Sequence, residues 1–191
     1  MLLTVLSTAC TGPTVITTDD TTAPPAAPAP PAPSSTRPSS AHLANAFDYA
    51  VPVETEPGVS TAYAFTTPSG RWECLIVPRT RAECRRAAGT SAALGITGAP
   101  DEVTDADGDA TAPTTILVDR SGDPQFAALP ATSIDDPREL AFNRILAVAG
   151  FRCNVQEATG ISCLSELSGK GFTFSADGFT TVYTDVPADA P

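Results

Sequence analysis

Residues 150–163 read GFRCNVQEATGISC, and this stretch decides the fold. Phe151, Cys153 and Val155 alternate with polar residues, which is the period-two pattern of a strand with one buried face. The residues that follow predict a turn with a glycine at a position where a positive φ is expected. Folding the chain about this turn places Cys153 opposite Cys163. We therefore predict a β-hairpin closed by a disulfide.

The same arrangement occurs earlier, where residues 70–84 read GRWECLIVPRTRAEC. Two cysteines again lie ten positions apart, with an aromatic residue two positions before the first. In a non-hydrogen-bonded antiparallel pair, the opposed Cα atoms are about 4.5 Å apart, a separation that a disulfide accepts. The four domain cysteines allow three connectivities. The hairpin geometry favours Cys74–Cys84 and Cys153–Cys163.

Composition places the chain among small acidic proteins. It has 191 residues and a formal net charge of −11, so we expect one domain of ordinary size. Such acidity argues against a nucleic-acid partner, because nucleic-acid binding requires a basic surface. The predicted domain has no apolar run near the roughly 20 residues that a membrane-spanning helix needs. We therefore expect no such helix within it.

The first ten residues, MLLTVLSTAC, are apolar and end in small residues before Cys10. This pattern resembles the end of a bacterial lipoprotein signal peptide, where the cysteine after the cleavage site receives the lipid. The stretch departs from that pattern because no basic residue precedes it and Leu6 lies one position early. The alternative is a buried structural cysteine, but the following residues offer it no core to join. We predict a signal-peptide end at residues 1–10, with lipid attachment at Cys10.

Residues 11–44 consist mainly of Thr, Pro, Ala and Ser and contain no aromatic residue. Such a composition cannot bury enough apolar surface to offset the entropy of ordering, so we predict a disordered Pro/Ala/Thr-rich linker. Closely spaced prolines favour polyproline II at about 3.1 Å per residue, which makes the linker a semi-rigid tether. The β-rich domain is predicted for residues 45–184, and a disordered acidic tail for residues 185–191.

Short strands separated by turns account for much of the remaining domain. Residues 114–119 (TTILVD) are rich in β-branched side chains, and residues 179–183 are expected to form the last strand. Residues 87–113 are predicted to be mostly loop. We therefore predict a mainly β fold, a small antiparallel sandwich or barrel with two disulfide-stapled hairpins.

The stretch from Asp135 to Val148 fits two structures. Asp136, with a proline after it and Glu139 three positions on, is a good helix start. The apolar residues that follow do not settle on one period. Asn143 can take the left-handed conformation of a turn, which would lead into a strand. We favour the turn and strand.

Several short motifs follow one another between Tyr63 and Tyr183. They are FTTPSG at residues 65–70 before Cys74, LAFN at residues 140–143, GFRC at residues 150–153, GISC at residues 160–163 and GKGF at residues 169–172. Their order is similar to that in a family of small exported actinobacterial proteins and lipoproteins of unknown function, with Pro-Ser-Gly before a cysteine, Gly-x-x-Cys and Gly-x-Gly-Phe. The resemblance implies export and a β-rich disulfide domain. It implies no activity.

Catalytic and metal-binding residues are scarce. The single histidine, His42, falls in the predicted linker, where we expect it to be solvated rather than held beside catalytic partners or metal ligands. Paired cysteines offer no thiolate, and separations of ten residues do not fit the closely spaced pairs of a zinc site. We therefore expect no cofactor and no enzymatic activity.

An acidic run extends from Asp101 to Asp109 and is the basis of the alternative function. Its DADGD segment at residues 105–109 resembles the start of a calcium loop, but Ala110 replaces the loop glycine and Ile116 stands where the bidentate acid belongs. A solvated loop is the simpler interpretation. The alternative is a Ca²⁺-dependent or carboxylate-based enzyme or module, which would require these acids to converge on a cleft.

Five arginines concentrate positive charge on the first hairpin, against the overall sign of the chain. Arg79 and Arg81 lie at its predicted tip and are the candidate binding residues, for anionic lipid headgroups or an acidic wall polymer. The alternative is that the arginines pair with the domain's own carboxylates. The five are Arg71, Arg79, Arg81, Arg85 and Arg86.

These features together predict a non-enzymatic binding or structural domain tethered to the cell envelope. The expected partners are the membrane, through the lipid anchor, and a cell-wall polymer or envelope protein. We expect the protein on the outer face of the cytoplasmic membrane or in the cell wall, and otherwise secreted.

Overall fold

A computed structural model describes residues 42–55, 58–87 and 93–191 of the chain. The predicted signal-peptide end with Cys10 and the linker up to residue 41 lie outside the described residues. Within those described ranges, no helix has both the length and the apolar character needed to cross a membrane.

The described residues form thirteen β-strands and one short 3-10 helix, Ala46–Tyr49. The fold is therefore mainly β, as predicted. The strands are β1 (Ala50–Thr55), β2 (Gly58–Thr66), β3 (Trp72–Val77), β4 (Arg81–Arg86), β5 (Val103–Thr104), β6 (Ala110–Thr111), β7 (Thr115–Asp119), β8 (Gln125–Ala127), β9 (Ile145–Val148), β10 (Phe151–Gln156), β11 (Gly160–Ser165), β12 (Gly171–Ser175) and β13 (Gly178–Thr180).

The strands form two large antiparallel sheets and one small hairpin. Sheet 1 has six strands in the order β1-β2-β3-β4-β7-β8, and sheet 2 has five in the order β13-β12-β11-β10-β9. Strands β5 and β6 pair with each other. Buried residues from the facing sides of sheets 1 and 2 belong to one hydrophobic cluster, which is the arrangement of a sandwich.

Both predicted hairpins are confirmed in strand position and register. Cys74 on β3 lies opposite Cys84 on β4, and Cys153 on β10 lies opposite Cys163 on β11. Each pair is a disulfide with a Cα–Cα distance of 4.1 Å. The second hairpin also pairs Val155 with Ile161, as its alternating pattern predicts.

The core lies between the two sheets and contains both disulfides. Alternate residues of the hairpin strands point into it because successive side chains of a strand face opposite sides. The ring of Trp72 in sheet 1 meets that of Phe174 in sheet 2 edge-on, with centroids 4.7 Å apart. Leu94 and Ile96, from the segment predicted to be mostly loop, are also buried there.

The ambiguous stretch resolves as the favoured turn and strand. Asn143 has φ 61°, in the left-handed region, and Ile145–Val148 is strand β9. Other expectations were less accurate. The last strand, β13, ends at Thr180 rather than continuing to Tyr183, and the acidic run carries the short β5–β6 hairpin.

The ordered domain is longer than predicted at both ends. His42 is half-buried rather than solvated, and its carbonyl accepts a hydrogen bond from the Ile145 N–H at 2.9 Å. Ala44 in turn donates its N–H to the Ile145 carbonyl at 2.8 Å. At the other end, Val186 is only 3% exposed, so packing extends into the residues predicted as a disordered tail.

Candidate functional site

The five arginines of the first hairpin do not form one patch. Arg81 donates its Nε–H to the Glu83 carboxylate. Arg85 donates to Glu73 at 2.6 Å and also to the Thr132 carbonyl. The two glutamates are nearly inaccessible, and a buried carboxylate requires such a partner. Arg81 and Arg85 therefore pair with the domain's own acids, which is the alternative that the sequence left open for these arginines.

Two more arginines lie at the end of the hairpin opposite its tip. The guanidinium carbon of Arg86 is 5.2 Å from the centroid of the Trp72 ring, within the range of a cation–π contact. Arg71 is exposed and directly precedes β3. These residues are separated from the tip by the length of the hairpin, so they cannot share a small ligand with it.

Arg79 is the arginine that remains at the tip of the first hairpin. It has φ 58° and an exposed side chain. Its main-chain N–H donates to the Ala149 carbonyl at 3.1 Å, in the turn between β9 and β10 of sheet 2. The tip of the first hairpin is thus held against the other sheet.

Four turns, two from each sheet, meet at this end of the sandwich. We call this surface the turn face and define it as residues 78–80, 120–124, 149–150 and 166–170. Hydrogen bonds connect the turns to one another and fix their relative positions. These bonds are Arg79 N–H to Ala149 O at 3.1 Å, Arg120 N–H to Thr80 O at 2.9 Å, Ser165 Oγ–H to Arg120 O at 2.6 Å and Glu166 N–H to Gly150 O at 3.0 Å.

The turn face presents exposed cationic and apolar side chains together with two exposed carboxylates, Asp123 and Glu166. Arg79 and Arg120 are both exposed, and neither forms an ion pair with any residue that the structure describes. Lys170 pairs with Asp123 at 2.8 Å. Leu167 is 63% exposed. The surface therefore offers two guanidinium groups that are available to an external acceptor.

Two cavities lie elsewhere on the described residues. The larger, of about 680 Å³, lies between the β1–β2 hairpin and residues 130–135. The smaller, of about 280 Å³, lies at the end of the sandwich opposite the turn face, where Trp72 and Phe174 line it. Comparisons of this chain with protein-family models, curated proteins and solved structures found no match. A candidate binding surface therefore has to be inferred from the structure of the chain itself.

The acidic run lines neither cavity. The carboxylate of Asp105 accepts the main-chain N–H groups of Asp107 at 3.0 Å and Asp109 at 2.9 Å, so it stabilises its own loop. Asp101, Glu102, Asp107 and Asp109 are exposed. Across residues 42–55, 58–87 and 93–191, no three His, Cys, Asp or Glu residues are grouped as metal ligands would be.

Sequence reasoning identified part of the turn face. It selected Arg79 from the turn of the hairpin, but it missed Arg120. The pairing of β4 with β7 sets Arg81 opposite Asp119, which carries Arg120 to the hairpin tip. Because a long connection separates these strands, no local pattern could have shown this neighbour. The pairing of Arg81 with Glu83 could have been predicted from the sequence, because residues two positions apart on a strand point to the same side.

Proposed function

We propose that this protein is an exported, lipid-anchored, non-enzymatic binding domain whose turn face contacts an anionic polymer of the cell wall. Lipid attachment at Cys10 and the tether rest on the sequence pattern. Export is supported by the two disulfides, which are compatible with an exported protein and typical of oxidising compartments.

The observation that carries the proposal is the rigid placement of Arg79 and Arg120. Main-chain hydrogen bonds fix the backbone of both residues, while both side chains are exposed. A guanidinium group matches the geometry of phosphate or carboxylate oxygens and binds them through charge-assisted hydrogen bonds. A preorganised backbone lowers the entropy cost of forming those bonds.

The charge of the whole chain shapes how such binding would behave. A net charge of −11 repels a polyanion at long range, so attraction has to come from local contacts at the turn face. Those contacts are exposed and therefore weaken as salt is added. The tether compensates in part, because it keeps the domain at a high local concentration near the wall.

The test is to sediment a purified phosphate- or carboxylate-bearing wall polymer together with the chain free of lipid. The amount of protein in the pellet measures binding. Arg79→Ala with Arg120→Ala should weaken binding at least about tenfold, because two charge-assisted contacts are lost. Arg71→Ala with Arg138→Ala is the matched control, since both are exposed arginines outside the turn face. Equal loss in the two double variants would contradict the turn face as the site.

The anchor has a separate test. Cys10→Ser in the full chain should move the protein from the membrane fraction into the medium, because the cysteine that receives the lipid is gone. Fractionation followed by immunoblotting measures this. Retention of Cys10→Ser in the membrane fraction would contradict lipid attachment there.

A further inference from the structure

The segment after β13 lies across the outer face of sheet 2. We call residues 181–186 the C-terminal strap. It leaves β13 beside Thr173 of β12 and reaches Gln156 of β10, passing over the strand between them. The strap thus covers the side of sheet 2 that faces away from the core.

Sheet 2 holds the strap through side-chain groups that bind its main-chain carbonyls. Thr173 donates its hydroxyl to the Val182 carbonyl at 2.7 Å. Asn154 donates its amide to the Thr184 carbonyl at 2.9 Å, and Gln156 donates to the same carbonyl at 3.2 Å. Three side chains of the outer face thus bind main-chain carbonyls of one chain segment.

Tyr183 adds side-chain specificity to this recognition. Its phenol oxygen accepts from the Asn154 amide at 3.0 Å and its O–H donates to the Asp185 carboxylate at 3.2 Å. Gly171 makes room for it, since a Cβ there would lie 3.0 Å from the Tyr183 Cβ. Burial, reinforced by Asp185, raises the pKa of Tyr183, which extends into the alkaline range the pH at which its O–H can donate.

The strap is held in a way that permits release. Within the described residues, no main-chain hydrogen bond joins it to sheet 2. Val186 is buried and Tyr183 half-buried, but Val182 is 67% exposed, so the apolar contacts of the strap come from two side chains. The sheet beneath it presents amides and hydroxyls, which water can solvate once the strap leaves. Release therefore exposes no large hydrophobic patch.

We infer that the outer face of sheet 2 is a binding groove for one extended peptide, and that the C-terminal strap is its reversible intramolecular ligand. A groove that has lost its own strap accepts the strap of a second copy. This goes beyond the proposed function, because it involves neither the turn face nor the wall polymer. The binding energy comes from main-chain carbonyls bound by Asn154, Gln156 and Thr173, with Tyr183 setting the register.

The test uses a fluorescent peptide of residues 181–191 and measures its polarisation with variants of the full chain. Val186→Asp puts a charge into a buried site and should release the strap. Val182→Asp makes the same change at an exposed position of the strap and is the matched control. A chain ending at Thr180 removes the strap altogether. Intact disulfides and the β circular-dichroism spectrum report folding.

We expect Val186→Asp and the shortened chain to bind the peptide at least about tenfold more tightly than the parent and Val182→Asp, in which the attached strap competes. A scrambled peptide should not bind. The inference is wrong if neither folded variant binds the peptide, or if the parent binds it equally well. It is also wrong if both variants lose the fold, because the strap would then be a fixed part of the sandwich.

Discussion

The two disulfide hairpins are alike on their inner faces and different on their outer faces. Each closes a loop between cysteines ten residues apart and contributes to the shared core. The outer face of the first carries buried ion pairs, such as Glu73 with Arg85. The outer face of the second carries one ion pair at its end, Arg152 with Glu166 at 3.7 Å, and otherwise neutral groups, among them Asn154 and Ser162, which are fully buried.

This difference determines which face can change partners. A buried carboxylate that loses its arginine remains as an uncompensated charge, which is strongly destabilising. A buried amide that loses its peptide partner can bind water instead, once the cover has left. By this criterion the outer face of sheet 1 around Glu73 and Arg85 is fixed, whereas the neutral part of the outer face of sheet 2, around Asn154 and Ser162, can exchange partners. The following predictions test this comparison.

The largest expected effect is a loss of stability, and it should be similar for the two hairpins. Replacing Cys153 and Cys163 with alanine should cost about 2–5 kcal/mol, because the disulfide no longer restricts the unfolded chain. Replacing Cys74 and Cys84 should cost a similar amount, since the loops are of equal length. Chemical unfolding measures both. Variants that unfold like the parent would contradict this stabilising role of the disulfides.

The next largest effect is a loss of stability that should differ between the outer faces of the two hairpins. Arg85→Ala leaves the Glu73 carboxylate buried without its guanidinium partner and should cost roughly 3 kcal/mol. Asn154→Ala removes neutral hydrogen bonds and should cost about 1–2 kcal/mol. Replacing Glu73 and Arg85 together with methionine should recover most of the loss, which unfolding in urea would measure. Equal losses for Arg85→Ala and Asn154→Ala would contradict the distinction.

A smaller effect on stability should appear at high pH, and Tyr183 of the strap contributes to it. Burial raises the pKa of Tyr183 above its ordinary value of 10.0, so the folded state favours the protonated phenol. Its contribution to stability is complete below that ordinary pKa and is lost as the pH rises through the folded pKa. Tyr183→Phe should flatten the alkaline fall in stability, which urea unfolding across the alkaline range measures.

Tyr49 provides the matched control for this titration. Burial also raises its pKa, but its phenol donates to the Glu139 carbonyl, away from the strap. Tyr49→Phe should flatten the same fall without changing peptide binding by the groove. If both substitutions affect peptide binding equally, the strap is not specifically controlled by Tyr183.

The smallest effect should come from calcium, which neither sheet is expected to bind. Millimolar Ca²⁺ should leave the melting temperature unchanged, because the acids between Asp101 and Asp109 do not surround a common point. A ligand that binds only the folded state raises the melting temperature. A rise that Asp105→Asn abolishes would instead support the acidic run as a metal site.

Local patterns predicted the hairpins, both disulfides and the turn at Asn143, because alternation and spacing act over a few residues. Contacts between residues that are far apart in the sequence could not be predicted from such local patterns. Arg120 joins Arg79 through pairing between distant strands, and Val186 is buried through the strap's path across sheet 2. Strand β1 was missed as well, since Pro52 and flanking acidic residues obscure its strand pattern. The sequence therefore indicated half of the turn face and none of the peptide groove.

The attachment of His42 and Ala44 to Ile145 has a mechanical consequence. A pull on the N-terminal end would load this short parallel contact first and then peel away β1 and β2. At Cys74 the first disulfide would pass the tension directly to Cys84, so the residues between the two cysteines would not extend. The cross-linked hairpins would then hold their loops closed under any tension that leaves the covalent bonds intact. Under tension on its N-terminal end, the domain thus yields first at the contact with Ile145, while both disulfide loops remain closed.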